Sequence, residues 1–401
     1  MAISIIEYPT TDAVVPLYNP FYYVVDSTNK TKLNFKYIFD LEYTPEGGSS
    51  TPIGRFKVYP NPTDGYGYFD PHSIFKNYIS NREFNPFLTN LGTVNSSYTF
   101  CTLLIGEEYD ESSSLPYTGT TVYPSLDIES IYGLNSVFQF NETPSLLGWD
   151  CSVIDFKRLL TKWEEGTFKK IPRNSWESIA GFTSVKNTGI FTVRYYTFNS
   201  GGTINGLFEF TNSLDTLKIE IPIGPQNLSL ITLPNLAGGG SRPIVNSTVY
   251  SYQLIIDDGV GNTSYSYNYI IDDSCYRYPI KRLAWLNSLG SYDYYTFPLK
   301  MIEGVKVNSG SWNKKIGYGY QFGDRGKINN YINNDKSFII TTDWLMDNEA
   351  RYIENILLSP SIYLIDEIYN IKIPLILKTS DSELKREENE TFLPLYSSQF
   401  L

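Results

Sequence analysis

Apolar and polar residues alternate along several segments of the chain with the two-residue period of a half-buried β-strand. In the clearest segment, every second residue is apolar: Leu33, Phe35, Tyr37, Phe39 and Leu41. The preceding residues 21–25 read as the partner strand of this segment. The same alternation recurs at 217–221 and 250–256, and a Gly-containing turn after the latter predicts a hairpin that returns over 264–271.

Helical periodicity is confined to short stretches. We predict helical turns at 70–79, 153–163, 176–182 and 347–358. Asp70 is placed to cap the first of these, with Pro71 at its first position. Asp347 is placed to cap the last, and Glu349 suits its first turn. Strands therefore dominate the pattern.

The fold class predicted from this pattern is mainly β, with two or three β-sandwich or barrel-like domains and a few short helices. We place four segments along the chain: an N-terminal β domain with a short helix, a loop-rich and helical insertion, a β-sandwich domain, and a C-terminal β domain with one helix. Their predicted bounds are 1–106, 107–187, 188–275 and 276–401. The 317–323 stretch, with its alternating Gly and aromatic residues, reads as an aromatic hairpin.

Composition narrows the classes of function. The formal net charge is −11, and the longest basic runs are pairs such as Lys169-Lys170. Because a protein that binds phosphates needs clustered Lys and Arg, direct nucleic-acid binding is not expected. Apolar runs are too short to span a bilayer. The first residues lack the features of a signal peptide, which predicts folding in a reducing cytoplasm.

The side chains that usually carry chemistry are scarce. His72 is the only histidine, and we expect a capping-region residue. Cys101, Cys151 and Cys275 are expected to be reduced, buried thiols, since three widely spaced cysteines form neither a disulfide framework nor a zinc site. No phosphate-binding motif is present. We therefore predict no catalytic, cofactor-binding or metal-binding residue, no cofactor and no enzymatic activity.

Paired carboxylates leave one enzymatic alternative open, a glycan hydrolase that uses two acids. We expect each pair to lie in a loop or turn, where Asp is favoured for backbone reasons. The four pairs are Glu107-Glu108, Asp110-Glu111, Asp257-Asp258 and Asp272-Asp273.

Tyrosine is the most distinctive component, with 34 Tyr in an aromatic share of 16%. Tyrosine combines an apolar ring with a polar tip, so it suits strand faces, protein interfaces and sugar-binding platforms alike. We expect most to fill sheet faces and some to form interfaces. The candidates are Tyr22, Tyr23, Tyr66, Tyr68, Tyr195, Tyr196, Tyr294, Tyr295, Tyr318 and Tyr320.

Several phrases of the sequence resemble structural proteins of tailed phages that infect Bacteroides-like hosts, including crAss-like phages. The phrases are Tyr18–Asp26 leading into 33–41, Arg55–Pro62, Ile221–Leu228, Leu283–Asp293, and Asp347–Leu358 followed by Ser359–Leu364. The resemblance implies a ring-forming subunit of the tail, neck or connector. It implies as partners copies of the same chain and other virion proteins, and it places the protein in the virion. A glycan-binding receptor-recognition protein of the tail is the alternative.

Overall fold

The computed structural model describes most of the chain, and the described residues are mainly β-strand, which confirms the predicted fold class. The described residues are 3–9, 14–45, 48–79, 84–93, 98–110, 120–137, 159–182, 192–211, 218–257, 266–313, 315, 317–319, 321, 326–343, 345–378, 385–387, 390–392 and 394–399.

The strands follow one another along the whole described chain. They are β1 Ile3–Glu7, β2 Val14–Pro16, β3 Tyr23–Ser27, β4 Leu33–Thr44, β5 Thr51–Val58, β6 Gly67–Phe69, β7 Gly92–Thr93, β8 Tyr98–Asp110, β9 Thr120–Leu134, β10 Phe168–Pro172, β11 Ser178–Phe182, β12 Thr192–Phe198, β13 Ile204–Thr211, β14 Lys218–Pro222, β15 Thr232–Pro234, β16 Ser241–Pro243, β17 Ser251–Asp257, β18 Tyr267–Asp272, β19 Lys281–Leu286, β20 Tyr292–Phe297, β21 Ile302–Asn313, β22 Lys327–Thr341, β23 Ile362–Asp366, β24 Ile371–Leu377, β25 Lys385–Glu387, β26 Glu390–Phe392 and β27 Pro394–Gln399.

The helices are short. They are α1 His72–Phe75, α2 Pro225–Leu230 and α3 Asp347–Glu354, with single 3₁₀ turns at Lys76–Tyr78 and Asn355–Leu358.

The chain divides into two compact units. Unit 1 comprises residues 1–272 and 287–293, and unit 2 comprises residues 273–286 and 294–401. The strands within 107–182 belong to the sheets of unit 1. Strand β9 pairs with β8, β10 pairs with β18, and β11 pairs with β14.

The first half of unit 1 is a β-sandwich. Its sheets have the strand orders β1-β3-β6 and β2-β9-β8-β4-β5. The predicted apolar face of β4 supplies its core, since Phe35, Tyr37 and Phe39 are buried. The Phe39 ring stacks on Phe69 of the other sheet with 4.5 Å between ring centroids.

One pairing expected in this half is wrong. Residues 23–27 do not pair with β4 but form β3, which pairs with β1 and β6 in the opposite sheet. The physical reason is that β4 is already paired on both edges, by β5 and β8.

The second half of unit 1 is also a sandwich, in which tyrosine hydroxyls connect the two layers. The sheets have the orders β10-β18-β17-β12-β13 and β11-β14-β7. Tyr195 Oη on β12 donates to Pro222 O at 2.7 Å, and Tyr252 Oη on β17 donates to Ile223 O at 2.6 Å. Each hydroxyl is thus satisfied inside an apolar core.

Two predicted helical turns are wrong. In the predicted 153–163 helix, residues 159–163 are irregular, and residues 153–158 lie outside the described residues. The Leu159 N–H donates to Tyr267 Oη at 2.7 Å and the Leu160 N–H donates to Ala180 O at 2.8 Å, so both amides serve long-range contacts. Residues 178–182 form β11, since pairing with β14 buries Ile179.

The segment 287–293 contributes buried polar contacts to unit 1. The Asp293 carboxylate accepts hydrogen bonds from Thr161 Oγ1 at 2.5 Å, Lys162 N at 3.1 Å and Asn287 Nδ2 at 3.0 Å. Burial raises the pKa of Asp293, although these donors oppose the shift. Lys169 forms a buried ion pair with Glu177. Because protein groups satisfy these charges, removing one partner would leave an uncompensated buried charge.

Lys218 is a second buried charge of this region. Its Nζ donates to Gly290 O at 2.5 Å. Burial lowers the pKa of Lys218 from 10.5 to about 8, and the Glu220 carboxylate partly offsets the decrease.

Unit 2 is built on one seven-stranded sheet with the order β20-β19-β23-β24-β27-β22-β21. Helix α3 and the 3₁₀ turn after it cover the predicted 347–358 helix. Its cap differs from the prediction, because Met346 is the N-cap residue and Asp347 the first helical residue. The Glu349 carboxylate accepts the Met346 N–H at 3.0 Å, which is the bond that the third helical residue makes in a capping box.

Lys218→Met tests the buried lysine. Because the folded pKa lies below the unfolded one, the unfolded chain binds the extra proton between about pH 8 and 10.5. The free energy of unfolding of the parent should therefore rise with pH across this window relative to that of the variant. Urea unfolding at a series of pH values measures both, and parallel pH profiles would contradict a lowered pKa.

Candidate assembly surfaces

Strands β21 and β22 form a long hairpin, and most of it extends beyond the sheet. Twelve residue pairs connect the strands, from Ile302↔Ile339 to Asn313↔Lys327. On its other edge, β22 pairs with β27 only through residues 336–341. We call the two-stranded part, residues 302–335, the arm. Of the predicted aromatic hairpin at 317–323, residues 317–319 and 321 lie between the two strands, and the others lie outside the described residues.

Apolar side chains of the arm are exposed on both of its faces. Val305 and Val307 are 60% and 58% exposed, and Ile332 is 61% exposed. Tyr331 is 54% exposed and lies on the opposite face from Ile332, because side chains alternate along a strand. The arm therefore presents two apolar faces that the described residues leave uncovered.

The base of the arm is held by the sheet of unit 2. Phe338 and Ile340 on β22 are buried, whereas residues 327–334 of the same strand are exposed. Within the arm, the Tyr331 ring lies over Gly310, where a Cβ would overlap it. An aromatic ring covering a cross-strand glycine helps to fix the register of a ribbon.

A second surface, in unit 1, combines aromatic rings with carboxylates. Across the first sheet, Glu7 of β1 and Tyr68 of β6 both pair with Val24 of β3. Asp64 lies in the turn before β6 and accepts the Tyr68 hydroxyl at 2.6 Å. Ile6, beside Glu7 at an irregularity of β1, is exposed. We call Ile6, Glu7, Asp64, Tyr66 and Tyr68 the acidic patch.

Hydrogen bonds favour the ionised form of Asp64 in the acidic patch. Lys30 lies beside the patch, with its Nζ 5.1 Å from the Tyr66 ring centroid, and it forms an ion pair with Asp26 at 2.8 Å. The Tyr68 hydroxyl and the Tyr66 N–H donate to the Asp64 carboxylate, and they lower its pKa. The same carboxylate raises the pKa of Tyr68. The Tyr66 and Tyr68 rings lie 6.5 Å apart by their centroids. The patch thus offers charge and aromatic surface together.

The candidate tyrosines divide between core and surface, as expected for sheet faces. Tyr23, Tyr195 and Tyr294 are buried. Tyr22, Tyr68 and Tyr318 are exposed, and Tyr320 lies outside the described residues. Three further candidates are half-buried: Tyr66, Tyr196 and Tyr295.

His72 lies at the first position of α1 with its ring Nδ1 2.8 Å from Asp70 Oδ1. The Asp70 carboxylate also accepts the His72 N–H at 3.1 Å. The predicted cap is wrong by one residue, because Pro71 is the N-cap and His72 the first helical residue. Asp70 therefore accepts the His72 N–H from the position before the cap.

The Glu107-Glu108 pair lies in strand β8, so the prediction of a turn is wrong for it. Glu107 accepts Ser27 Oγ at 2.6 Å and Asn29 Nδ2 at 2.7 Å, whereas Glu108 accepts Lys57 Nζ at 2.6 Å. Consecutive strand residues point to opposite faces, and two glycosidase acids must flank one bond. The geometry of this pair does not suit that reaction.

The other pairs lie at strand ends. Asp110, Asp257 and Asp272 are the last residues of β8, β17 and β18. Asp273 follows in an exposed coil, while Glu111 and Asp258 lie outside the described residues.

The prediction of buried thiols holds for Cys101 and is wrong for Cys275, which is exposed because it lies in the coil after β18. Cys151 lies outside the described residues. Burial raises the pKa of Cys101 well above its ordinary value.

Among the described residues, no group of three or more His, Cys, Asp or Glu could hold a metal ion. No helix in the described part of the chain is long and apolar enough to cross a membrane.

No protein-family model matches the chain, and no curated protein matches it. Among solved structures, it is similar to the calcium-binding domain CBD12 of CALX1.1. The identity is 9% over 68% of this chain and all of that chain, with a TM-score of 0.17. A likeness at this level carries no inference about function.

The boundary between arm and sheet can be tested on one face of β22. Ile332→Ala should change the free energy of unfolding by no more than about 0.5 kcal/mol, since the side chain is exposed. Phe338→Ala, six residues along the same face, should cost about 3–5 kcal/mol because Phe338 is buried. Urea unfolding measures both. A cost above about 2 kcal/mol for Ile332→Ala would mean that the arm packs on its own chain.

Proposed function

We propose that the chain is a structural subunit of a phage virion that assembles into a ring in the tail, neck or connector. The observation that carries this proposal is the arm. A two-stranded ribbon is at best marginally stable alone in water, and this one exposes aliphatic and aromatic side chains on both faces. Another protein surface that covers it would bury these side chains, each worth roughly 1.5–3 kcal/mol when fully buried.

The virion setting comes from the resemblance of five phrases to phage structural proteins. The arm supports an assembly role in general, and the resemblance supports this particular assembly. The partners in the proposal are copies of the same chain and other virion proteins, with no catalytic step. Recognition of a receptor glycan stays the alternative, and a glycan array of the purified chain tests it.

Shortening the arm tests the proposal directly. Residues 307–334 are replaced by an Asn-Gly turn between the paired residues Lys306 and Asp335, which suits a two-residue hairpin. We expect the parent to form closed rings by negative-stain electron microscopy and the variant to remain monomeric while keeping its circular dichroism spectrum. A parent that is monomeric at high concentration and absent from virions would overturn the proposal, as would a shortened variant that forms the same rings.

A matched pair of point variants compares the contribution of the arm to self-association with that of an exposed apolar residue elsewhere. Ile332→Ser on the arm should weaken self-association by about 1–2 kcal/mol, which is the loss expected for an interface residue that contributes to binding without being a hot spot. Ile204→Ser is the control, because Ile204 is 58% exposed at the start of β13 in unit 1. Sedimentation velocity over a concentration series measures both. Equal losses, or none for Ile332→Ser, would show that the arm is not the contact.

A further inference from the structure

The charge of the chain is divided unevenly between its two units. Unit 1 carries 28 Asp and Glu against 17 Lys and Arg, so all of the net charge of −11 lies there. Unit 2 carries 15 of each and is neutral. Two copies therefore repel each other mainly through their first units.

The hairpin that bears the arm is positive. From Ile302 to Thr341 there are six Lys and Arg against three Asp and Glu, a net charge of +3. Lys306, Lys315, Lys327 and Lys336 are exposed. This charge lies among apolar side chains, since Lys306 separates Val305 from Val307 and Lys327 precedes Ile328. A surface that fits the arm must combine apolar groups with carboxylates.

The acidic patch of unit 1 has this combination. Ile6 and Tyr68 provide exposed apolar and aromatic area, and Glu7 and Asp64 provide the carboxylates. Among the described strands, β1 is also an edge of its sheet, because in the order β1-β3-β6 its partner is β3. An edge strand is a template for a strand of another chain.

We propose that the arm of one copy docks on the acidic patch of a second copy of this chain. This inference rests on the proposed function and deepens it by naming the two surfaces that meet. Charge complementarity selects the second copy as the occupant, since a +3 hairpin meets a unit of net charge −11. The exposed apolar residues on both surfaces supply the area to be buried.

Charge reversal on each side tests the contact. Lys315→Glu/Lys327→Glu on the arm should weaken self-association roughly tenfold or more at about 0.1 M salt, and Glu7→Lys should weaken it as well. Combining all three substitutions should restore part of the loss. Glu164→Lys is the control for the patch, because Glu164 is an exposed acid of unit 1 outside it. Exchanging Lys306 and Asp335, which are paired, controls for the arm because its net charge is unchanged.

Zero-length carbodiimide coupling locates the contact. In an equal mixture of ¹⁵N-labelled and unlabelled chains, arm lysines should couple to Glu7 or Asp64 in peptides of mixed label. Raising the salt from about 0.1 M to about 1 M shortens the Debye length from about 10 Å to about 3 Å and should reduce both coupling and assembly.

The outcomes separate this inference from the proposed function. Rings that form normally with the reversed arm, or arm lysines that couple only to other acids or within one chain, would overturn the docking site and leave ring assembly standing. A chain that is monomeric under all conditions would overturn both.

Discussion

A two-stranded β-ribbon has two faces and no second layer of its own. Its apolar side chains can therefore be buried only against another surface. In both sandwiches of unit 1, each inner sheet face meets another sheet, and the rings of Phe39 and Phe69 or the hydroxyls of Tyr195 and Tyr252 connect the layers. No such layer covers the arm in the part of the chain that the structure describes. Because β22 runs unbroken from the sheet into the arm, the buried Phe338 and Ile340 hold in place a ribbon whose outer part is exposed.

The buried charges of unit 1 serve the fold. Lys169 and Glu177 pair with each other, and Asp293 and Lys218 bond to side chains and backbone of their own unit. A buried charge becomes costly when its partner is removed, so these contacts favour one arrangement of the strands around 287–293 over its competitors. These four charged groups are thus used inside the core, while the proposed function depends on the surface.

The sequence predicts what short-range alternation controls. The apolar face of β4, the 347–358 helix and the mainly β class all follow from local periodicity and turn residues. What it misses depends on pairing between distant strands. Leu159 and Leu160 have helical spacing, but their backbone amides and side chains make separate long-range contacts. Local sequence predicts a turn at Glu107 and Glu108, but pairing with β4 makes both residues part of β8.

The arm and the acidic patch also depend on pairing between distant strands, which local sequence patterns do not predict. Asn329, Asn333 and Asn334 are of a residue type common in loops, and pairing with β21 makes them part of a strand. The acidic patch exists because β3 places Glu7 and Tyr68 on either side of Val24. The sequence marks Tyr66, Tyr68 and Tyr318 as interface candidates, but no local motif shows which residues lie beside them on each surface.

In the proposed contact, the arm and the acidic patch are different surfaces, so the interface is heterologous. A heterologous contact always leaves one arm and one patch uncovered at the ends of an open oligomer. Closing the oligomer covers both, which stabilises a ring over a chain of the same length whenever the rotation between copies permits closure. Bringing like charges close together costs free energy. The acidic charge of unit 1 therefore disfavours a contact between the first units of two copies that has no arm between them. Attraction through the arm and repulsion between the first units therefore favour the same head-to-tail arrangement.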